Sequence, residues 1–446
     1  MTKKTMHIGF DDTDSPRKGC TTYVAALILE KLLELAVEFI DYPNLIRLNP
    51  NVPWKTRGNG ALCIRIRHDE DIEGQIKETV TRTVERNADL DYDGTDPGIV
   101  FLPEAEISEE IRVFARKAIS GIVTLERALR LLRRFRGEAT GFKKRRGIIG
   151  GLAAIGENLQ GDHTFEILAY RTPESRGSRR QVDKASIFEM DETTTPYTFN
   201  NIDYETRRIL ITPRGPDPIL FGIRGETADI VKKAFEKVRS LEPVERWVIF
   251  RTNQGTDAHL KRAEQLGRIK PYSHVIAKGT VAVNPRIIPR RHVIFTVRDE
   301  SAKVECAAYE PTGDLRKAAS KLTAGDNVEI YGGVRPPSQK HPLTINLEKI
   351  RVLKLVPIIM YRNPICPKCG KRLKSMGRNQ GFRCRKCGSR HPELGKIKAQ
   401  LRREIAEDLY ITSPRSQRHL TKPIGRRGME KSCKRIEEFI EEWHFP

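Results

Sequence analysis

Three carboxylates and two hydroxyls crowd the start of the chain. Asp11, Asp12 and Asp14 fall in Gly9-Phe10-Asp11-Asp12-Thr13-Asp14-Ser15, and Thr21 and Thr22 follow Cys20. Clustered carboxylates hold Mg²⁺, which bridges phosphate oxygens. Hydroxyls in a helix's first turn sit where backbone N–H groups attract anions. A threonine there can also take a phosphoryl group as a nucleophile. The same residues fit a plain polar loop with an N-capping threonine. Lys55 and Arg57, in the Pro-, Asn- and Gly-rich loop Arg47 to Gly60, are candidates for the compensating positive charge. The chain has no G-x4-G-K-[ST] and no kinase glycine loop with a matching His-Arg-Asp set, so any ATP chemistry rests on the Asp11–Thr22 stretch.

A second group of residues binds metal. Cys366-x2-Cys369 and Cys384-x2-Cys387 are 14 residues apart, and each pair is followed by a glycine, 370 and 388. Four thiolates around tetrahedral Zn²⁺ make a closed, structural ribbon rather than a catalytic centre. The interleaved Lys368, Lys371, Arg372, Lys374, Arg378, Arg383, Arg385, Lys386 and Arg390 fit a clamp on a phosphate backbone. Lone histidines such as His163 and His259 read as local hydrogen-bonding groups.

The elements that position these groups follow from periodicity. His7 to Phe10 reads as a buried strand and 22–39 as a helix, so the carboxylates end a strand and the hydroxyls begin a helix. Leu62 to Arg67 reads as a strand, Gln75 to Ala88 as a helix and Ile99 to Leu102 as a strand. Ser108 caps a helix running towards Arg134. Lys143-Lys144-Arg145-Arg146 before the glycines of 147–156 fits either a phosphate cover or a solvated turn. A second α+β unit runs on to about Gly255, with strands at Phe165 to Tyr170, Arg208 to Ile211 and Val244 to Arg251 and a helix at Ala228 to Arg239. From Ser273 to Leu355 five short strands, with a helical segment at Leu315 to Lys321 after the third, have the order of an OB-fold. Ile397 to Leu409 and Lys431 to Trp443 read as helices.

Charge is uneven along the 446 residues. Residues 1–135 carry 20 Lys+Arg and 22 Asp+Glu, while 361–446 carry 22 and 9, within an overall formal charge of +22. A near-neutral front and a basic tail place chemistry at one end and polyanion binding at the other. No stretch is long and apolar enough for a transmembrane helix, and the first residues leave no room for a signal peptide, so a cytoplasmic protein is expected. The cysteine pattern then indicates metal binding rather than disulfides.

The chain resembles the archaeal tRNA(Ile) 2-agmatinylcytidine synthetases, which act on the isoleucine tRNA with a CAU anticodon. The resemblance spans essentially the whole chain. It rests on Gly9 to Ser15, Cys20-Thr21-Thr22, the Arg47–Gly60 loop, Gly215-Pro216-Asp217-Pro218 with Gly222-Ile223-Arg224-Gly225-Glu226, and the four zinc cysteines. Phe10 stands where the family commonly has Ile, and Pro16-Arg17-Lys18 fills the turn. The resemblance implies a multidomain α+β protein: a kinase-like ATP-binding domain (1–135), a ferredoxin-like domain (136–258), an OB-fold β-barrel (270–356), and a zinc ribbon with a C-terminal helical tail (360–446). It implies that agmatine replaces the C2 oxygen of the wobble cytidine, position 34, after ATP phosphorylates that oxygen, so that the AUA codon is read as isoleucine. Thr21 aligns with the family's phosphorylated threonine, and Asp11, Asp12 and Asp14 with its aspartates. ATP, Mg²⁺ and structural Zn²⁺ are the expected cofactors, and agmatine and the tRNA the partners. Agmatine's guanidinium calls for a carboxylate fork, for which Asp217 and Glu226 are the candidates, with Asp217–Arg224 as an alternative ion pair. The competing reading is a non-catalytic OB-fold/zinc-ribbon nucleic-acid-binding protein whose acidic loop is only a metal site.

Overall fold

The apolar run after Lys4 forms β1 (Lys4–Asp11), buried from Met6 to Phe10 and ending on the first aspartate. The computed structural model describes residues 3–432 and 438–446. After β1 come α1 (Thr21–Glu34), β2 (Glu38–Phe39), β3 (Asn44–Arg47), β4 (Gly60–His68), α2 (Glu73–Asn87) and β5 (Gly98–Leu102). Then follow α3 (Glu109–Ser120), α4 (Leu125–Arg134), β6 (Glu138–Gly141) and α5 (Gly147–Gly156).

Three sequence expectations change here. The helix expected over 22–39 stops at Glu34, because Ala36 turns left-handed at φ 53° and Glu38–Phe39 pairs with β4 instead. The helix expected from Ser108 towards Arg134 is two helices. Gly121 ends the first, and Thr124 caps the second by accepting from Arg127 N–H. The apolar spacing carries across this break, which hides it from a periodicity reading.

The third concerns 147–156: its glycines form α5, buried almost throughout, and the basic residues before it, Lys143 to Arg146, make the turn that leads into it. Its glycines let the helix backbone lie directly on the sheet. A Cβ at Gly9 would fall 2.1 Å from the Gly151 carbonyl oxygen, and one at Gly98 would fall 2.0 Å from Ile148 N. β6 pairs with β5, and α5 packs on β1 and β5, so residues 138–156 pack with the first unit although they follow residue 135.

The second unit supplies β7 (Thr164–Arg171), α6 (Lys184–Thr194), β8 (Thr198–Phe199), β9 (Ile202–Asp203), β10 (Arg208–Ile209), β11 (Ile219–Gly225), α7 (Ala228–Lys237) and β12 (Val244–Thr252). Both units share one sheet, ordered β6-β5-β1-β4-β3-β12-β7-β11-β8. The seam is the parallel pair β3–β12, in register at Arg251 with Asn44. One core lies beneath α1, α2, α6 and α7, and the other beneath α3, α4 and α5.

β13 (Lys261–Arg262) leads into the OB-fold: β14 (His274–Ile288), β15 (His292–Arg298), β16 (Lys303–Ala308), α8 (Asp314–Ser320), β17 (Asn327–Arg335) and β18 (Thr344–Lys354). Pairing is cyclic: β14 bonds both β15 and β17, and β18 bonds both β16 and β17. Among the described residues, the helix expected over Ile397 to Leu409 is not observed. β19 (Ile358–Arg362) instead pairs with β23 (Ile397–Leu401), flanking the small sheet β20 (Lys374–Ser375), β21 (Phe382–Arg383) and β22 (Arg390–His391). β24 (Leu409–Ile411) returns to pair with β18. Of the helix expected over Lys431 to Trp443, residues 433–437 lie outside the described residues, and the described flanks are not helical. β25 (His444–Phe445) closes on β12. No helix among the described residues is long and apolar enough to cross a membrane.

Candidate active site

The C-terminal end of β1 and the N-terminal end of α1 open onto a cleft of about 290 Å³. Asp11, Asp12, Asp14, Thr21, Thr22, Lys55, Arg57 and Asp217 all line it, together with an apolar wall that includes Val52, Trp54 and Ile122. Eight of the residues singled out from sequence therefore meet at one place.

Asp11 is held from two sides. Its Oδ1 accepts from Asp12 N–H at 2.7 Å, and its Oδ2 lies against α5, where a Cβ at Gly150 would sit only 1.9 Å away. Burial, and then the neighbouring Asp12, push the Asp11 carboxyl well above the usual carboxylate range. Asp12 adopts φ 62°, and its Oδ2 accepts from Asp96 N–H at 3.1 Å. Burial raises Asp12 to about 7 against the opposing Asp96 N–H and Arg146. These are the signs of carboxylates short of positive charge.

Asp14 has a different surrounding. Arg57 Nε donates to its Oδ2 at 2.6 Å and Thr56 Oγ1 to its Oδ1 at 3.1 Å. The three aspartates are not among the side chains that converge closely enough to form a ready-made cage. That suits Mg²⁺, which is usually held by one or two carboxylates with substrate phosphates and water completing the shell. Asp11 and Asp12 fit the carboxylate part, and Asp14 anchors Arg57.

Arg57 also donates to Gly19 O at 2.5 Å and to Asp217 Oδ2 at 3.3 Å, so one guanidinium ties both units together across the cleft. Thr21 is the first residue of α1, with its Oγ1 3.1 Å from Thr13 Oγ1. The Thr22 hydroxyl is 3.0 Å from Cys20 Sγ. Lys55 Nζ donates to Arg57 O at 2.8 Å.

The two agmatine candidates separate. Asp217 faces the cleft, held by Arg57 and by Arg180 Nη2 at 3.1 Å, not by Arg224 as the sequence suggested. Arg224 pairs instead with Glu166 at 2.9 Å. Glu226 is not brought to the cleft. It is buried, and both of its oxygens are taken by Arg426, whose Nη2 also donates to Asp162 at 2.9 Å. Arg426 is a tail residue far away in sequence, so no local pattern announces the pairing.

The same tail supplies a residue that sequence reasoning missed. His419 lines the cleft because its carbonyl accepts from Gly255 N–H at 2.8 Å, and Leu420 O accepts from Asp257 N–H at 2.8 Å. Its Nδ1 contacts Gln254 Oε1 at 2.9 Å and Arg224 Nη2 at 3.1 Å. Burial, with Arg47, Arg224 and Lys55 nearby, holds its imidazole well below the usual histidine range, and therefore neutral. The Trp54 side of the wall was visible as a residue in the stiff loop, but nothing in its spacing marked it.

Away from the cleft, the four ribbon cysteines converge. Cys366 and Cys387 Sγ are 3.6 Å apart, and Cys369 and Cys384 Sγ 3.4 Å. Gly370 and Gly388, at φ 71° and 76°, turn so that their N–H groups bond Cys366 O and Cys384 O. The donor set fits structural Zn²⁺.

A cleft with clustered carboxylates at a strand–helix junction, joined to an OB-fold and a zinc ribbon, defines a multidomain α/β enzyme that carries nucleic-acid-binding modules. Family models match in the same order: the TiaS TCKD domain over 7–143, the TiaS FLD domain over 145–259, an OB-fold nucleic acid binding domain over 275–353 and the TiaS C-terminal zinc ribbon domain over 363–405. The chain is 44% identical over 420 residues to TiaS of Pyrococcus horikoshii, an isoleucine-tRNA 2-agmatinylcytidine synthetase, covering 94% of this chain and 96% of that one. A solved complex of TiaS with its isoleucine tRNA and ATP superposes with a TM-score of 0.85 at 40% identity, covering 95% of this chain and 97% of that one. A complex of TiaS with the tRNA, AMPCPP and agmatine does so at 0.83 and 37%, with the same coverage. The chain belongs to the TiaS family of isoleucine-tRNA 2-agmatinylcytidine synthetases.

Proposed function

We propose that this chain ligates agmatine to C2 of the wobble cytidine, position 34, of the CAU-anticodon isoleucine tRNA, at the expense of ATP and in the cytoplasm. The observation that carries the reading is the meeting of Asp11, Asp12, Asp14, Thr21 and Arg57 in one cleft that also admits Asp217. A pure nucleic-acid binder needs no such meeting. Relatives solved with the isoleucine tRNA, ATP, AMPCPP and agmatine support it.

The chemistry follows from the cytosine ring. Its C2 carbonyl oxygen is a poor leaving group. Transfer of a phosphoryl group to that oxygen makes it a good one, and the agmatine amine then attacks C2. The C2–N bond forms, the C2–O bond breaks, phosphate departs with the oxygen, and the amine gives up its protons. Phosphoryl transfer asks mainly for positioning and charge neutralisation. Asp11 and Asp12 would hold Mg²⁺ against the ATP phosphates, and Mg²⁺ supplies charge neutralisation there. Arg57, fixed by Asp14, presents positive charge to the same cleft, with Lys55 beside it. Thr21, the first residue of α1 with Thr22 next to it, is our candidate for the hydroxyl that the family resemblance marks for phosphorylation. Asp217 is the agmatine-side carboxylate, entering from the unit that holds the ferredoxin-like domain. Extrusion of the base from the anticodon stack is required for access. The OB-fold and zinc ribbon hold the tRNA by shape and backbone.

The test is incubation of the full chain with tRNA, ATP and labelled agmatine, omitting each in turn. Label retained in the tRNA only when all three are present is the expected result. No retention with all three present overturns the ligase reading in favour of the binding protein.

A further inference from the structure

The loop after β12, the first residue of β14 and the middle of β18 bring His259, His274 and Glu348 together between the central sheet and the OB-fold. Their relative exposures are 0%, 1% and 4%. One ligand atom of each lies within 4.8 Å of the other two. His259 Nε2 and Glu348 Oε2 are 3.0 Å apart, and the two imidazoles meet edge to face with centroids 4.8 Å apart.

Hydrogen bonding accounts for only part of this cluster. His259 Nδ1, both ring nitrogens of His274 and Glu348 Oε1 are buried with no hydrogen-bond partner among the described residues. Buried polar atoms are ordinarily paired, and a group of orphans gathered in one place requires an explanation. Arg418 does not provide it. Its Nε is 3.8 Å from Glu348 Oε1, and its Nη1 donates to Asn51 Oδ1 at 2.7 Å.

We infer that His259, His274 and Glu348 form a second metal site, distinct from the cysteine ribbon, that takes a divalent transition ion and staples the OB-fold to the central sheet. Two imidazoles and a carboxylate are a donor set for Zn²⁺. Ligands roughly 2.0–2.1 Å from a tetrahedral ion stand about 3.3 Å from each other, near the spacing already present between His259 and Glu348. Thr421 Oγ1 donates to Glu348 Oε2 at 2.8 Å, an outer contact of the kind that orients a ligating carboxylate. Because Thr421 belongs to the tail that carries His419 into the cleft, the staple also steadies the segment that completes the cleft wall. This inference does not depend on the ligase reading.

The test is a zinc count on the full-length protein after equilibration with Zn²⁺ and removal of free ion. The expected result is about two ions per chain, one in the ribbon and one here. His274→Ala is expected to hold about one with unchanged circular dichroism, and the Cys384→Ser, Cys387→Ser variant to keep the ion of this site. About one ion in the wild-type protein, or an unchanged count in a folded His274→Ala, overturns the proposal. If His274→Ala does not fold, zinc X-ray absorption on the wild-type protein decides. Nitrogen and oxygen scatterers beside sulfur support the site, and sulfur alone refutes it.

Discussion

Gly150→Ala is a small change that the structure makes severe. The position is inside α5, where alanine improves intrinsic helix stability by about 1 kcal/mol. The added Cβ would lie 1.9 Å from Asp11 Oδ2, against the 3.4 Å at which ordinary contact begins, a shortfall of 1.5 Å. The helix has little room to retreat, because α3 also packs against it: a Cβ at Gly156 would fall 2.6 Å from Ile111 O. The Asp11 carboxylate must move instead. Overpacking of this kind costs about 1–3 kcal/mol, so net stability changes by roughly 0–2 kcal/mol. Displacing a positioning group by an ångström costs about 10²-fold in rate. Agmatine incorporation should therefore show kcat/KM reduced about 10²-fold while thermal unfolding moves little. Gly74→Ala, in α2 with nothing within 4 Å of the new methyl, is the control and should leave both unchanged or raise stability slightly. A folded Gly150→Ala protein with wild-type kcat/KM would refute the placement of Asp11 at the reacting phosphate.

Thr21→Ala should abolish turnover while leaving tRNA affinity intact in a filter-binding assay. Full turnover in that variant removes Thr21 from the mechanism. Replacing Cys384 and Cys387 by Ser should release the ribbon zinc and weaken tRNA binding, measured by metal analysis and a binding isotherm, and unchanged affinity contradicts the clamp. His7 is buried, donating from Nε2 to Glu104 O at 2.7 Å with Arg65 Nη1 3.0 Å from its Nδ1. Burial, and then Arg65, lower its pKa from 6.5 to about 3. The unfolded chain therefore binds the extra proton first, and this contribution to stability is lost as pH falls from about 6.5 towards 3. Melting temperatures should drop on acidification through this window, and His7→Gln should flatten the slope; an unchanged slope shows that His7 does not titrate in it.

Local chemistry was legible in the sequence where one short segment contains it. Asp11 to Thr22 is a single strand–turn–helix, and the ribbon cysteines carry their own spacing and turn glycines. Alternating apolar residues likewise marked the OB strands. What the sequence hid depends on long-range pairing. Gly147, Gly150 and Gly151 read as loop residues because their value lies in the backbone of β1 and β5 that they approach. Glu226 looked available because its partner, Arg426, comes from the tail, and His419 reaches the cleft through long-range bonds, including those of its segment to Gly255 and Asp257. The tail segments 397–401 and 409–411 form strands because β19 and β18 offer free edges, an opportunity no helical periodicity records.

The most direct measurement is the mass of the nucleoside at position 34 of a CAU-anticodon isoleucine tRNA after reaction with the full chain, ATP and agmatine. A cytidine heavier by agmatine less one water, at that position alone, is the result this account predicts. An unchanged cytidine in the presence of folded, zinc-loaded protein would contradict it.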